Sequence, residues 1–287
     1  MRYHTDPACS ASWAAEPRLR RLMVEFGAQV EITYVMGGLA REFTDPASLV
    51  MRWLDDAAGS GMPVDPRIWA NGAPRSSYPS CIAFHAAGEQ GSDAAERYLR
   101  ELREGFMCRR RRLDTPEALE EEARRTGLDA QRFGIDLRSH GTLEAFGSDL
   151  EESRAAADVE RLGLPALRFI PGGGGREGWV GGGQPYDDWH AAAVAAGATP
   201  DAGPRPDVAA ALHRFGRLAT AEVEAVCDLP GPRAGAELWR LAAEWRVKRL
   251  PVLTGELWEL AWPGHGASAA RSPASRSAPA PALPRSP

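Results

Sequence analysis

The sequence has few cysteines and histidines, and neither residue type forms a recognisable site pattern. Its four cysteines stand at positions 9, 81, 108 and 227, and this spacing matches neither a zinc motif nor a compact disulfide framework. The six histidines show no paired spacing either, so we predict no metal site. Each cysteine must therefore be interpreted singly.

Long apolar runs and an excess of positive charge are also missing. No apolar segment approaches the roughly 20 residues that a membrane-spanning helix requires, and no apolar stretch with a cleavage site follows Met1. The formal net charge is −5, which disfavours a general nucleic-acid-binding protein. We therefore expect a cytoplasmic protein with no membrane partner.

The hydrophobic pattern predicts one α/β unit that is interrupted by helices. Alternating and helical spacings predict a strand, a helix over 12–26 with a kink at Pro17, and a second strand within the first forty residues. A helical block without strands follows over about 45–155, with helix starts signalled by polar caps or early prolines at Asp45-Pro46, Ser92 and Thr115-Pro116. Two strands, 164–170 and 177–181, and a helix over 186–196 complete a first domain, which we place at 1–198.

A second, smaller unit is predicted after a proline-rich joint. Three short helices and a strand hairpin are expected within 203–262, and this order resembles a winged helix. Ala234-Gly235-Ala236, at the start of its third helix, offers little to a base edge, so we expect a protein contact and favour DNA less. Residues 263–287 are rich in Ala, Ser, Pro and Arg without an apolar period, which predicts a disordered tail.

Cys9 is the main candidate for chemistry. It lies in the segment DPACSASW between the first predicted strand and helix. A cysteine in the first turn of a helix faces unpaired backbone N–H groups and the positive end of the helix dipole, which lower its pKa. We therefore predict a thiolate at neutral pH, with Ser12 as a hydrogen-bond donor to it. The alternative interpretation is a small apolar residue at a helix start.

Ser12 limits the chemistry of this thiol. It stands where a dithiol centre carries its second cysteine, so an internal disulfide cannot form. Only one-thiol reactions remain, namely attack on an external disulfide or acceptance of a low-molecular-weight thiol.

Four segments in order, YHTDPACSASWAAEPRLRRLMVEFG, VMGGLA, SSYPSCIAFHAAGEQG and GLPALRF, resemble the cytosolic FrnE-like branch of the DsbA family. The resemblance covers about 1–198 and implies a thioredoxin-like fold with a helical insertion. It further implies that Cys9 is the nucleophile and that Pro165 is a cis-proline facing it. The Leu164 backbone would then pair with an extended substrate, and we assign substrate contacts to Ser10, Trp13, Leu164 and Pro165.

The motif C-S-A-S departs from the C-P-W-C or C-P-W-S of family members that act as oxidoreductases. Our leading hypothesis is nevertheless a one-thiol thiol–disulfide oxidoreductase that acts on a protein or small-molecule disulfide through Cys9. It would have no tightly bound cofactor and would use a small thiol as co-substrate. A redox-inactive adaptor or regulator is the alternative. A relative of kappa-class glutathione transferases or isomerases, in which a serine stabilises a glutathione thiolate, is a further alternative.

Overall fold

A four-stranded mixed sheet forms the centre of the first unit. The computed structural model describes residues 1–70 and 72–261, so the predicted tail over 263–287 lies outside the described residues. The strands are β1 (Arg2–Thr5), β2 (Thr33–Met36), β3 (Ala166–Phe169) and β4 (Gly178–Gly181). They lie in the order β2-β1-β3-β4, with β1 and β2 parallel and the other pairs antiparallel. The predicted α/β, thioredoxin-like fold is confirmed.

Three helices accompany the strands of this sheet: α1 (Ser10–Ala14), α2 (Glu16–Phe26) and a helix over Tyr186–Ala195. The sequence predicted one helix over 12–26, whereas the structure has two, separated at Ala15. Pro17 lies in the first turn of α2, where its missing N–H would have no intrahelical partner. The proline therefore begins a helix and does not kink one.

Six helices lie between β2 and β3, where the sequence predicted a helical block without strands. Their bounds are α3 (Pro46–Ser60), α4 (Tyr78–Gly88), α5 (Ser92–Met107), α6 (Pro116–Arg125), α7 (Ala130–Asp136) and α8 (His140–Glu160). The predicted polar caps are present at two of them, because Asp45 accepts a hydrogen bond from the Ser48 N–H and Thr115 accepts one from Ala118. In chain order the Tyr186–Ala195 helix is α9.

The carboxy-terminal unit contains three helices and a small antiparallel sheet. Its elements are α10 (Val208–Phe215), β5 (Leu218–Ala219), α11 (Thr220–Cys227), α12 (Pro232–Ala243), β6 (Val247–Val252) and β7 (Gly255–Leu260), with strand order β5-β7-β6. The two-residue β5 was not predicted, since two residues carry no alternation. Whether this unit functions as a winged helix stays a prediction, as do the domain boundaries. None of the helices over residues 1–70 and 72–261 is long and apolar enough to cross a membrane.

A buried ionic joint connects α2, the insertion and the carboxy-terminal unit. Arg100 on α5 lies 3.0 Å from a Glu16 carboxylate oxygen, 2.8 Å from Glu104 and 2.6 Å from Glu222. Its guanidinium also donates to the Arg217 carbonyl. We call these four charged residues, Arg100, Glu16, Glu104 and Glu222, the Arg100 cluster. Because α2 follows directly after the helix that carries Cys9, the joint reaches close to the predicted thiol site.

Candidate functional site

Asp6 shapes the loop that carries the thiol. Its buried carboxylate accepts hydrogen bonds from the N–H groups of Ala8, at 2.7 Å, and Leu39, at 2.6 Å. Its carbonyl accepts the Cys9 N–H at 3.2 Å. These bonds tie the end of β1 to the loop after β2 and place Cys9 as the N-cap of α1. Sequence analysis missed this residue, although an aspartate between a strand and a proline is a typical turn signal.

The Cys9 thiol is enclosed. Only 4% of the residue is exposed, and its Sγ accepts the Ser12 backbone N–H at 3.4 Å and lies 3.9 Å from the Leu164 carbonyl oxygen. Burial raises the pKa of Cys9; the Ser12 side chain and N–H act in the opposite direction, and the charges of Asp6 and Asp56 raise it further. This environment disfavours the predicted thiolate, because burial outweighs the stabilising N–H and side chain of Ser12.

Ser12 occupies the predicted position beside the sulfur. Its side chain is buried, and its Oγ has no hydrogen-bond partner among the described residues. Since a hydroxyl can rotate, it is free to turn toward Sγ, and this agrees with its lowering effect on the Cys9 pKa. Ser12 is therefore placed as a potential donor to the sulfur.

Ser10 and Trp13 are placed differently from their predicted role in substrate contact. The Ser10 hydroxyl is buried and donates to an Asp56 carboxylate oxygen on α3 at 2.6 Å. The Trp13 indole is 1% exposed, and its Nε1–H donates to the Pro63 carbonyl at 2.9 Å. Its ring also packs against the Arg100 guanidinium. Both side chains are already engaged inside the protein, so neither is available to a substrate in this structure.

Leu164 and Pro165 lie where the resemblance implied. Their peptide bond is cis, and the Leu164 carbonyl faces the Cys9 sulfur. The Pro165 carbonyl accepts the Gly182 N–H at 2.7 Å. A Cβ at Gly182 would come within 2.2 Å of the Pro165 ring, so only glycine fits there. The structure therefore brings Cys9, Ser12, Leu164 and Pro165 together.

Cys81 and His4 are two further buried side chains that could take part in chemistry, and both contact other residues inside the protein. Cys81 donates to the Asp6 carboxylate at 3.3 Å, and burial raises its pKa well above the usual value. The His4 ring contacts the Ser153 hydroxyl at 3.0 Å, and burial lowers its pKa. Neither group is positioned to activate Cys9.

The arginine run at 109–112 is engaged with the protein's own acids. Arg109 contacts Glu101 and Glu122, and Arg111 contacts Glu122. Over the described residues, no group of histidine, cysteine and carboxylate side chains is arranged to hold a metal ion. The chemistry that this site offers is thus that of one buried thiol beside an edge of backbone.

Curated relatives align over almost the whole chain. The ClpXP adapter protein SpxH of Halalkalibacterium halodurans is 28% identical over 265 residues, covering 88% of this chain and 86% of that protein. The ClpXP adapter protein SpxH of Shouchella clausii is 27% identical over 270 residues, with the same shares.

A solved structure resembles about two thirds of the chain. The cytosolic disulfide reductase DsbM of Pseudomonas aeruginosa superposes with a TM-score of 0.57 at 20% identity. It covers 66% of this chain and 94% of its own, and at this identity it indicates the fold alone.

A family model described as thioredoxin matches residues 3–169, which is more than half of the chain and includes β1, the Cys9 loop, the helical insertion and β3. Together with the strand order and the position of Cys9 opposite Leu164-Pro165, this match means that the chain belongs to the thioredoxin family and has a DsbA-like thioredoxin fold.

Proposed function

We propose that the protein is an adapter that binds a client protein and presents it to the ClpXP protease. The observation that carries this proposal is the state of Cys9, which is 4% exposed and has a raised pKa. A thiol–disulfide oxidoreductase needs an accessible thiol with thiolate character near neutral pH. A neutral, enclosed thiol suits a binding protein better.

The extent of the similarity supports an adapter. An alignment over 88% of the chain must include most of the carboxy-terminal unit, whereas the disulfide reductase covers 66%. An adapter needs two contact surfaces, one for the client and one for the protease. The present chain offers two units held together by the buried Arg100 cluster.

We assign client docking to the edge formed by Leu164 and Pro165. Leu164 is half-buried, and its carbonyl points to a thiol and not to a strand partner. Pro165 is buried and its carbonyl is already paired with Gly182, so the backbone of Leu164 is the part with which an extended client segment can pair. Cys9 and Ser12 then form the floor of the docking site and need not react.

The carboxy-terminal unit is assigned to a protein contact. Four of its basic side chains pair with glutamates of the same unit, which reduces the positive potential that DNA binding needs. The pairs are Arg240 with Glu237 and Glu244, Arg246 with Glu244, Lys248 with Glu259, and Arg249 with Glu256.

A one-thiol oxidoreductase is the second candidate, because Sγ of Cys9 lies 3.9 Å from the Leu164 carbonyl and accepts the Ser12 N–H. In that function the Cys9 thiolate attacks a client disulfide, forms a mixed disulfide and releases the other client sulfur as a thiolate. A small thiol then attacks this mixed disulfide. Attack on the client sulfur releases the Cys9 thiolate and leaves the small thiol bound to the client, whereas attack on the Cys9 sulfur releases the client thiolate and leaves the small thiol bound to Cys9.

A protein turnover experiment separates the two functions. Protein half-lives are measured in cells without the gene, in cells without active ClpP, and in deletion cells that produce either the wild-type chain or Cys9→Ser. An adapter predicts at least one protein that is long-lived in both mutant backgrounds. The purified chain should also accelerate its degradation by purified ClpXP.

The serine variant provides the discriminating control. An adapter with an unreactive thiol predicts that Cys9→Ser restores turnover as the wild-type chain does. Loss of turnover in the folded serine variant would favour the oxidoreductase. If no protein shows a ClpXP-dependent change in half-life, the adapter function is wrong.

A further inference from the structure

Arg18 is a partly buried arginine that lacks a carboxylate partner. Two neighbours on α2 show the usual pattern, since Arg20 pairs with Glu16 and Arg21 pairs with Glu25. Arg18 forms no ion pair with any residue that the structure describes, and burial lowers its pKa. Withdrawing a charge from water without a counter-charge costs free energy. An anionic ligand that pairs with Arg18 would lower this cost.

Two buried N–H donors accompany this cation. The Arg18 Nε and the Trp189 Nε1 are both buried without a hydrogen-bond acceptor in the described part of the chain, and the Trp189 side chain is completely buried. The Arg18 Cζ lies 5.8 Å from the centroid of the Trp189 ring. These two nitrogens are enclosed, but Arg18 as a whole is only half-buried. The outer part of its guanidinium can therefore meet an acceptor-only group, and its planar fork matches a carboxylate.

The position of Arg18 is fixed relative to the proposed docking edge. Its Nη2 donates to the Gly182 carbonyl at 2.9 Å, and the Gly182 N–H donates to the Pro165 carbonyl at 2.7 Å. Gly182 also packs directly against the Pro165 ring. The series of contacts continues through Leu164 to Cys9, so Arg18 lies two contacts away from Pro165 and the proposed docking edge.

Small side chains accompany Arg18 along this part of the chain. Ala11 and Ala14 on α1 and Pro17 on α2 are half-buried. Side chains of this size leave room for a backbone to approach closely. Arg18 can then give a docked segment a charged contact.

We propose that Arg18 recognises a carboxylate on a client segment docked at Leu164 and Pro165. This inference rests on the proposed function, which supplies a polypeptide as the ligand. The carboxylate comes either from an aspartate or glutamate side chain or from a free carboxyl terminus, and both have the same chemistry. An acidic or carboxy-terminal client segment is thus favoured over a neutral one.

Nuclear magnetic resonance of the full-length chain tests this directly through the ¹H–¹⁵Nε signal of Arg18, assigned by its loss in Arg18→Gln. Three hexapeptides serve as probes: Ac-AALEAA-NH2, Ac-AALQAA-NH2 and Ac-AALQAA with a free carboxyl terminus. The expected result is a saturable shift with the first or third peptide at millimolar concentration and none with the second. The first and third peptides separate a side-chain carboxylate from a terminal one.

Variants relate the signal to binding. Backbone amide shifts should report at least about tenfold weaker binding of the carboxylate peptide to Arg18→Gln, and intermediate binding to Arg18→Lys, which keeps the charge but not the planar fork. Arg21→Gln is the matched control, because Arg21 lies on the same helix and is paired with Glu25. It should bind as the wild type does. Thermal unfolding verifies that each variant is folded.

Three outcomes would overturn the inference: no shift with either carboxylate peptide, an equal shift with the neutral peptide, or undiminished binding in Arg18→Gln. None of these outcomes concerns ClpXP. If peptide binding fails while the turnover experiment succeeds, the anion site is wrong and the adapter function stands. If peptide binding succeeds and turnover is unaffected, the anion site stands and the adapter function is wrong.

Discussion

Two buried ionisable groups only seven positions apart, Cys9 and Glu16, behave in opposite ways. Burial alone would raise the pKa of both groups. At Glu16 the charges of Arg20, Arg103 and Arg100 outweigh burial and hold the pKa at about 2. Cys9 has no cation among the groups that shift its pKa, so its pKa stays raised. A buried acid is thus ionised where arginines surround it and neutral where they do not.

The placement of the arginines distinguishes the two regions. Arginines near the first helices are directed to the joint between α2, α5 and α11, where they keep carboxylates charged and bind three parts of the chain together. Among the described residues, none of these arginines contacts the Cys9 sulfur, whose hydrogen-bond partners are Ser12 and Leu164. The joint is therefore a structural ion network, whereas the thiol site is an enclosed thiol without a paired cation.

Removing the central arginine of the joint should have the largest effect. Arg100→Met leaves Glu16, Glu104 and Glu222 without their shared partner, and an uncompensated buried charge costs about 3–5 kcal/mol. Urea denaturation measures this loss. Arg124→Met is the control, because its side chain is 56% exposed and its ion pairs are worth at most about 1 kcal/mol. Equal losses in the two variants would show that the joint contributes no more than a surface pair.

Acid pH should weaken the joint through Glu16. Its folded pKa of about 2 lies below the unfolded value, so the unfolded state binds more protons between these values and stability falls as pH falls from about 4.5 to 2. The loss is on the order of 3 kcal/mol. Urea denaturation across this pH range should show a shallower dependence for Glu16→Gln than for the wild type, and Glu121→Gln, an exposed control, should keep the wild-type slope. An unchanged slope in Glu16→Gln would contradict this assignment.

The smallest effect is expected at the thiol. The Ser12 side chain is one of the groups that lower the Cys9 pKa, and a hydrogen bond of this kind is worth about 1 kcal/mol. Ser12→Ala should therefore slow alkylation of Cys9 at pH 8 by about fivefold. Mass spectrometry of the Cys9 peptide gives the rate. A faster reaction would mean that Ser12 shields the sulfur and does not act on its charge.

Much of the fold is encoded locally. Apolar periodicity and caps such as Asp45 and Thr115 predicted the order of strands and helices. The residues around the thiol also follow from the motif resemblance, because Cys9 and Pro165 stand at recognisable positions. What local patterns cannot give is a contact between distant segments, such as Ser10 with Asp56 or Trp13 with Pro63.

The prediction of a lowered Cys9 pKa also failed to include contacts between distant segments. The sequence shows the helix start but not the enclosure of the thiol, which depends on the insertion and on the segment around Leu164. It likewise shows Glu16, Arg100 and Glu222 as ordinary surface-type residues. Their meeting in the interior requires helices that are more than 80 positions apart in sequence.

The most direct test of the account is the pH dependence of Cys9 alkylation. Cys81, Cys108 and Cys227 are replaced by alanine, and the iodoacetamide rate is followed from pH 5 to 10 beside an unstructured peptide of sequence DPACSASW. A closed, neutral thiol predicts a rate below that of the peptide at every pH and no inflection below about pH 8.5. An inflection below pH 7, with a rate above that of the peptide, would show a reactive thiolate and contradict the account.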